Sequence, residues 1–196
     1  RGSTSPDANT GSHGSDLRVM VLGESWSPRA PDGVTILGGE PSKRDGSTLR
    51  RWRGQVAGRR LSVVEPLGLK WRDGPGSDKK EQRRRLLDSA WRCGPGPHVV
   101  LLLLPAFLTC TQRLRSALEE HVSWLGPEVW RRALLLLTWG EMLGESVEQH
   151  VLRNRELAEL VGKCEGRVHV VTSNKNNSGV EGLLEKMEDI VAMNRF

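Results

Sequence analysis

The most constraining feature of the chain is a rhythm of short apolar runs alternating with amphipathic stretches. Residues 17–22 (LRVMVL), 98–104 (HVVLLLL), 132–138 (RALLLLT) and 167–172 (RVHVVT) each read as a buried strand. Between and after the last three lie helical patterns at about 111–125, 146–163 and 177–193, the last with Val180, Leu183, Leu184, Met187, Ile190 and Val191 at i, i+3, i+4, i+7 spacing. Strands buried on both faces and alternating with helices predict an α/β fold, a mostly parallel sheet covered by helices on both sides. Ligands of such sheets bind beyond the carboxyl ends of the strands.

Two further strands, Leu49–Val56 and Arg60–Glu65, are joined by a tight turn at Gly58 and bring the expected sheet to six. Asp78–Arg92 predicts a surface helix, with Leu86, Leu87, Ala90 and Trp91 on its apolar face and bases on the other. Pro28, Pro31 and Gly33 leave room for two turns of helix around Val34–Leu37. Residues 1–16 are rich in Gly, Ser and Thr without apolar periodicity and are expected to be a disordered linker, with 17–196 as the folded domain.

The longest apolar run, Val99–Thr109, is 11 residues long and contains Pro105, far short of the ~20 that a membrane-crossing helix needs. With no secretory leader pattern, the expected location is cytoplasmic. Cys93, Cys110 and Cys164 form no CxxC pair, so neither a disulfide framework nor a zinc knuckle is expected. His98, His121, His150 and His169 are scattered outside any metal or nucleophile motif, and His98 reads as a structural residue at a strand start. The net charge of +5 is uneven, because residues 43–85 hold 14 bases against 5 acids. Such a stretch is a solvated basic face, or it meets an acidic protein, an anionic membrane surface or nucleic acid, the last being the weakest reading.

Several segments together resemble the immunity-associated GTPases, the GIMAP family with its avirulence-induced-gene type of G domain. They are ILGG at 36–39, GPGPHVVLLLL at 94–104, LGPEVWRRALLLLT at 125–138, LAELVGKCEGRVHVVTSNK at 157–175 and GLLEKMEDIVAMN at 182–194. The resemblance implies a Ras-like P-loop G domain that takes GTP or GDP with Mg²⁺, and a role in lymphocyte survival or defence. It also implies oligomerisation with other G domains and association with intracellular membranes.

Carried over residue by residue, the resemblance puts the phosphate loop at Gly23-Glu24-Ser25-Trp26-Ser27-Pro28-Arg29-Ala30. Such a loop needs backbone N–H groups around the phosphates, a Lys to neutralise them and a hydroxyl on Mg²⁺. Gly23 is kept, but Pro28 brings no N–H, Arg29 is bulkier than Lys, and Ala30 has no oxygen for the metal. On the metal side Glu65 and Gly68 stand where the family has Asp and Gly of its DTPGL motif, and Thr48 is the counterpart of the γ-phosphate-sensing threonine. The base-reading segment becomes Thr138-Trp139-Gly140-Glu141, with Glu141 in place of Asp, Trp139 able to stack on a base, and Asn174-Lys175 beside it. The fold is retained while phosphate and metal chemistry lose several partners at once. The expectation is a pseudo-GTPase interaction module with weakened GTP binding and little or no hydrolysis. A GTP-binding switch with a divergent loop and a basic membrane- or nucleic-acid-associated adaptor are the alternatives.

Overall fold

The computed structural model describes residues 16–23, 43–45, 49–66, 69, 78–92, 94–172 and 179–195. The strands are β1 (Leu17–Gly23), β2 (Lys43–Asp45), β3 (Leu49–Val56), β4 (Arg59–Pro66), β5 (Val99–Pro105), β6 (Ala133–Thr138) and β7 (Val168–Val170). The helices are α1 (Lys79–Trp91), α2 (Gln112–Leu125), α3 (Val147–Arg153), α4 (Arg155–Lys163) and α5 (Val180–Met193). One sheet runs in the order β2-β3-β4-β1-β5-β6-β7. β4, β1, β5, β6 and β7 are mutually parallel, and β2 and β3 pair antiparallel at one side.

All six expected strands form. β2 joins them as a seventh, its three residues lying in a polar stretch too short to carry an alternation signal. The single helix expected over 146–163 is two, broken at Asn154. That residue takes extended dihedrals and its Oδ1 accepts from Leu157 N at 3.1 Å, so its short amide caps a new helix rather than continuing the old one. The expected helix near Val34–Leu37 and the linker up to residue 15 lie outside the described residues.

Every residue of β5 and β6 is buried. One cluster packs α5 against one face of the sheet through Leu183, Met187 and Ile190, and the other packs α1, α2 and α4 against the opposite face through Leu86, Leu118 and Leu160. Burial pushes the Cys110 thiol up to about 11 and that of Cys164 to about 12, as expected of inert core thiols. The apolar face expected for α1 is corrected at its end. The buried stripe is Gln82, Leu86 and Ser89, and Trp91 is 77% exposed. Among the described residues no helix is long and apolar enough to cross a membrane.

Polar side chains close the amino-terminal edge of the sheet. Arg18 N donates to His98 Nδ1 at 2.9 Å, His98 N returns a bond to Arg18 O at 2.9 Å, and Arg18 Nε reaches Gly96 O at 2.7 Å. His98 is thereby the structural strand-start residue that the sequence predicts. Burial, with Arg18, Arg132, Arg195 and Arg59 around it, lowers its pKa to about 4. Beside it Arg167 donates to Ala133 O at 2.8 Å and Trp130 O at 2.7 Å, tying the starts of β6 and β7 together.

Candidate functional site

Because β4, β1, β5, β6 and β7 are parallel, Pro66, Gly23, Pro105, Thr138 and Val170 end at one edge, opposite the one closed by His98 and Arg167. The strand order turns at β1, so Gly23 opens onto the place where such sheets hold ligands. Of the residues singled out from sequence, Gly23, Glu65, Trp139 and Glu141 are brought to this edge. Arg29, Ala30, Thr48, Gly68, Asn174 and Lys175 lie outside the described residues.

Gly23 is required by packing. It takes φ +115°, and a Cβ built on it would lie 2.2 Å from Leu103 O on the neighbouring strand. Its presence at the head of the loop is therefore explained before any phosphate is considered. Glu65 is half-buried near the end of β4 and stands opposite Arg50 in the antiparallel register with β3. A cation in the cross-strand position gives the carboxylate a neighbour of opposite charge.

Trp139 is the most unusual residue of the edge. It follows β6 in the left-handed conformation, φ 59° and ψ 43°, which a bulky side chain adopts at a cost of about 1–2 kcal/mol. The conformation is held from two sides. Gly140 N donates to Val171 O at 2.9 Å, and a Cβ at Gly140 would meet Val170 Cγ1 at 2.4 Å, so the turn is pressed onto the end of β7. On the other side the indole meets Phe107 edge to face, with ring centroids 6.0 Å apart. Sequence reasoning missed Phe107; two residues beyond β5 and 41% exposed, it was legible only as an aromatic just past a buried strand. Glu141 is exposed beside this pair, within the short turn of helix Gly140–Met142.

The residues that the resemblance assigns to a Mg²⁺-bound triphosphate lie only in part within the described residues. Magnesium demands several hard oxygens in octahedral geometry. Of the residues assigned by the resemblance, Ala30 has no side-chain oxygen and Pro28 no N–H, and Glu65 stands opposite Arg50 in register. Among the described residues no group of three or more His, Cys, Asp or Glu side chains is placed to hold a metal. Among the described residues, two aromatic side chains and an exposed carboxylate stand at this edge.

Comparison with known proteins gives three findings. The AIG1 family model matches residues 18–195. No curated protein matches the sequence. Among solved structures, Toc33 from Arabidopsis thaliana in complex with Mg²⁺ and GMPPNP superposes with a TM-score of 0.67 at 13% identity, covering 92% of this chain and 86% of that one. A structure of the chloroplast translocon components atToc33 and psToc159, described as needing dimerisation for GTPase activity, gives 0.61 at 15% identity, with 92% and 85% covered. LeoA, a bacterial dynamin GTPase from ETEC, gives 0.57 at 14% identity over 91% of this chain and 36% of its own. At these identities the structures speak for the fold, a GTPase-type α/β sheet.

Proposed function

Because the chain belongs to the AIG1 family, we propose that its G domain, residues 17–196 following a linker at 1–16, is a pseudo-GTPase interaction module with weakened guanine-nucleotide binding and little or no hydrolysis. The observation that carries this reading is the loop after Gly23. Phosphoryl transfer rests on positioning and electrostatics, and Pro28 and Ala30 withdraw one amide of the cradle and the hydroxyl on Mg²⁺ together. The register of Arg50 with Glu65 supports the same reading from the metal side.

A working switch is the second reading, in which Gly23, Arg29, Glu65, Glu141 and Asn174 form a diminished guanine site. It is favoured by one observation, the exposed Glu141 beside the Trp139 and Phe107 rings. As a module the domain would assemble with another G domain, or dock on an acidic protein or membrane surface. A role in immunity and an intracellular location belong to the same proposal.

Thermal unfolding with and without millimolar GTP or GDP and Mg²⁺, with ATP as control, tests it. A ligand that binds only the folded state raises stability by RT ln(1 + [L]/Kd). No guanine-specific rise is expected. A clear rise with GTP or GDP and not with ATP overturns weakened binding and assigns the working switch.

A further inference from the structure

The amino-terminal edge, opposite the candidate nucleotide site, carries a groove with its own chemistry. A cavity of about 380 Å³ lies between the end of α1, the 94–97 loop and the short helix Pro127–Arg132, lined by Leu87, Trp91, Pro97, Val129, Arg18 and Arg132. A second, of about 320 Å³, is lined by Arg131, Arg132 and Glu128 together with Glu165, Met193 and Asn194. The two share Glu128 and Arg132 and so adjoin along one groove-like face. Its ends are apolar and solvent-facing, with Trp91 77% and Met193 54% exposed.

The charges between those ends are not balanced. Arg18 uses its Nε on Gly96 O, and among the described residues its guanidinium has no carboxylate partner. The Arg131 and Arg132 side chains likewise have no ion pair or hydrogen bond among the described residues, and Glu165 is already paired with Arg167 at 3.0 Å. Glu128 alone stands against three guanidinium groups. Nearby His98 is held neutral chiefly by its burial, with Arg18 and Arg132 adding to the effect.

We propose that this groove docks an extended acidic segment of a partner protein, with an apolar side chain seated beside Trp91, a second toward Met193, and carboxylates on Arg132 and Arg131 between them. The concavity suits a peptide rather than a flat bilayer, and two linked cavities suit a chain rather than a single small anion. Guanidinium groups bind carboxylates in a planar fork, and an exposed indole is a favourable anchor at such interfaces. The proposal stands whether or not the opposite edge takes a nucleotide.

The test is fluorescence anisotropy with a fluorescein-labelled peptide carrying glutamates between two phenylalanines, titrated with the full chain. A lysine-for-glutamate peptide and phosphatidylserine vesicles serve as comparisons. Trp91→Ala and Arg132→Glu are each expected to weaken binding about tenfold, whereas Arg53→Glu, a charge reversal at an exposed site on β3, changes it less than about twofold. Arg132→Gln repeats the test without charge reversal, and circular dichroism confirms that each variant folds. Equal weakening by all the variants reduces the effect to net charge and overturns the proposal. So does binding untouched by Trp91→Ala and Arg132→Glu, or binding to vesicles without binding to the peptide.

Discussion

The two edges of the sheet are built on opposite rules. At the amino-terminal edge polar side chains are spent on backbone groups: His98 on Arg18 N, Arg18 on Gly96 O, and Arg167 on Ala133 O and Trp130 O. At the carboxyl-terminal edge, where a nucleotide would sit, the strands end in a strained Trp139, a neighbouring Phe107, and a Glu65 opposite Arg50. The GPGPH and KCEGRVH segments, which carry much of the family resemblance, lie at the first edge. They tie strand starts together and touch no phosphate. Recognising the family therefore speaks to the fold, and the chemistry has to be judged at the other edge.

Four measurements break or sharpen this contrast. Lowering the pH should cost the most. His98 and His121 both have folded pKa values near 4 against 6.5 when unfolded, so their contribution is whole above about pH 6.5 and lost as pH falls toward 4. Together the loss by pH 4 is expected to be about 6 kcal/mol in urea unfolding. His98→Asn, which keeps an acceptor for Arg18 N, should remove roughly half of that fall. An unchanged fall would detach His98 from the edge's stability.

Arg167→Ala comes next, with an expected loss of about 2 kcal/mol, because two half-buried carbonyls lose a charged donor. A loss below about 1 kcal/mol would show that water replaces the guanidinium. The triple change Pro28→Gly, Arg29→Lys and Ala30→Ser should raise GTP affinity about tenfold by calorimetry while stability stays within about 1 kcal/mol. Unchanged affinity would place the defect elsewhere on that edge. The smallest effect is expected from Trp139→Gly. It relieves left-handed strain of about 1 kcal/mol and gives up an aromatic contact of similar size, for a net stability change under about 1 kcal/mol.

The core was legible because its signal is local. Runs such as 99–104 and 133–137 are apolar throughout, and periodicity alone places them as strands buried on both faces. What escaped depended on distance. Asn154 breaks a helix that periodicity continues, since capping by one amide leaves no mark on the apolar pattern. Trp91 was assigned inward because its spacing matches Leu87, yet α1 turns Gln82, Leu86 and Ser89 to the sheet instead. At the candidate site Gly23 was read as a remnant of a phosphate cradle, whereas the approach of Leu103 O, 80 residues away in sequence, already demands glycine. Phe107 becomes relevant only once β5 and β6 lie side by side.

The outermost strands, β2 and β7, are each described as three residues long, while β3 to β6 run to six or more. A strand from another molecule arriving at the β7 flank would find only a few main-chain groups to pair with. Growth of the sheet from copy to copy is thereby discouraged at the β7 flank, a safeguard against runaway polymerisation in a chain so rich in leucine strands. On that side a second copy would have to be met through loops and helices, whose surfaces can tell one companion from another.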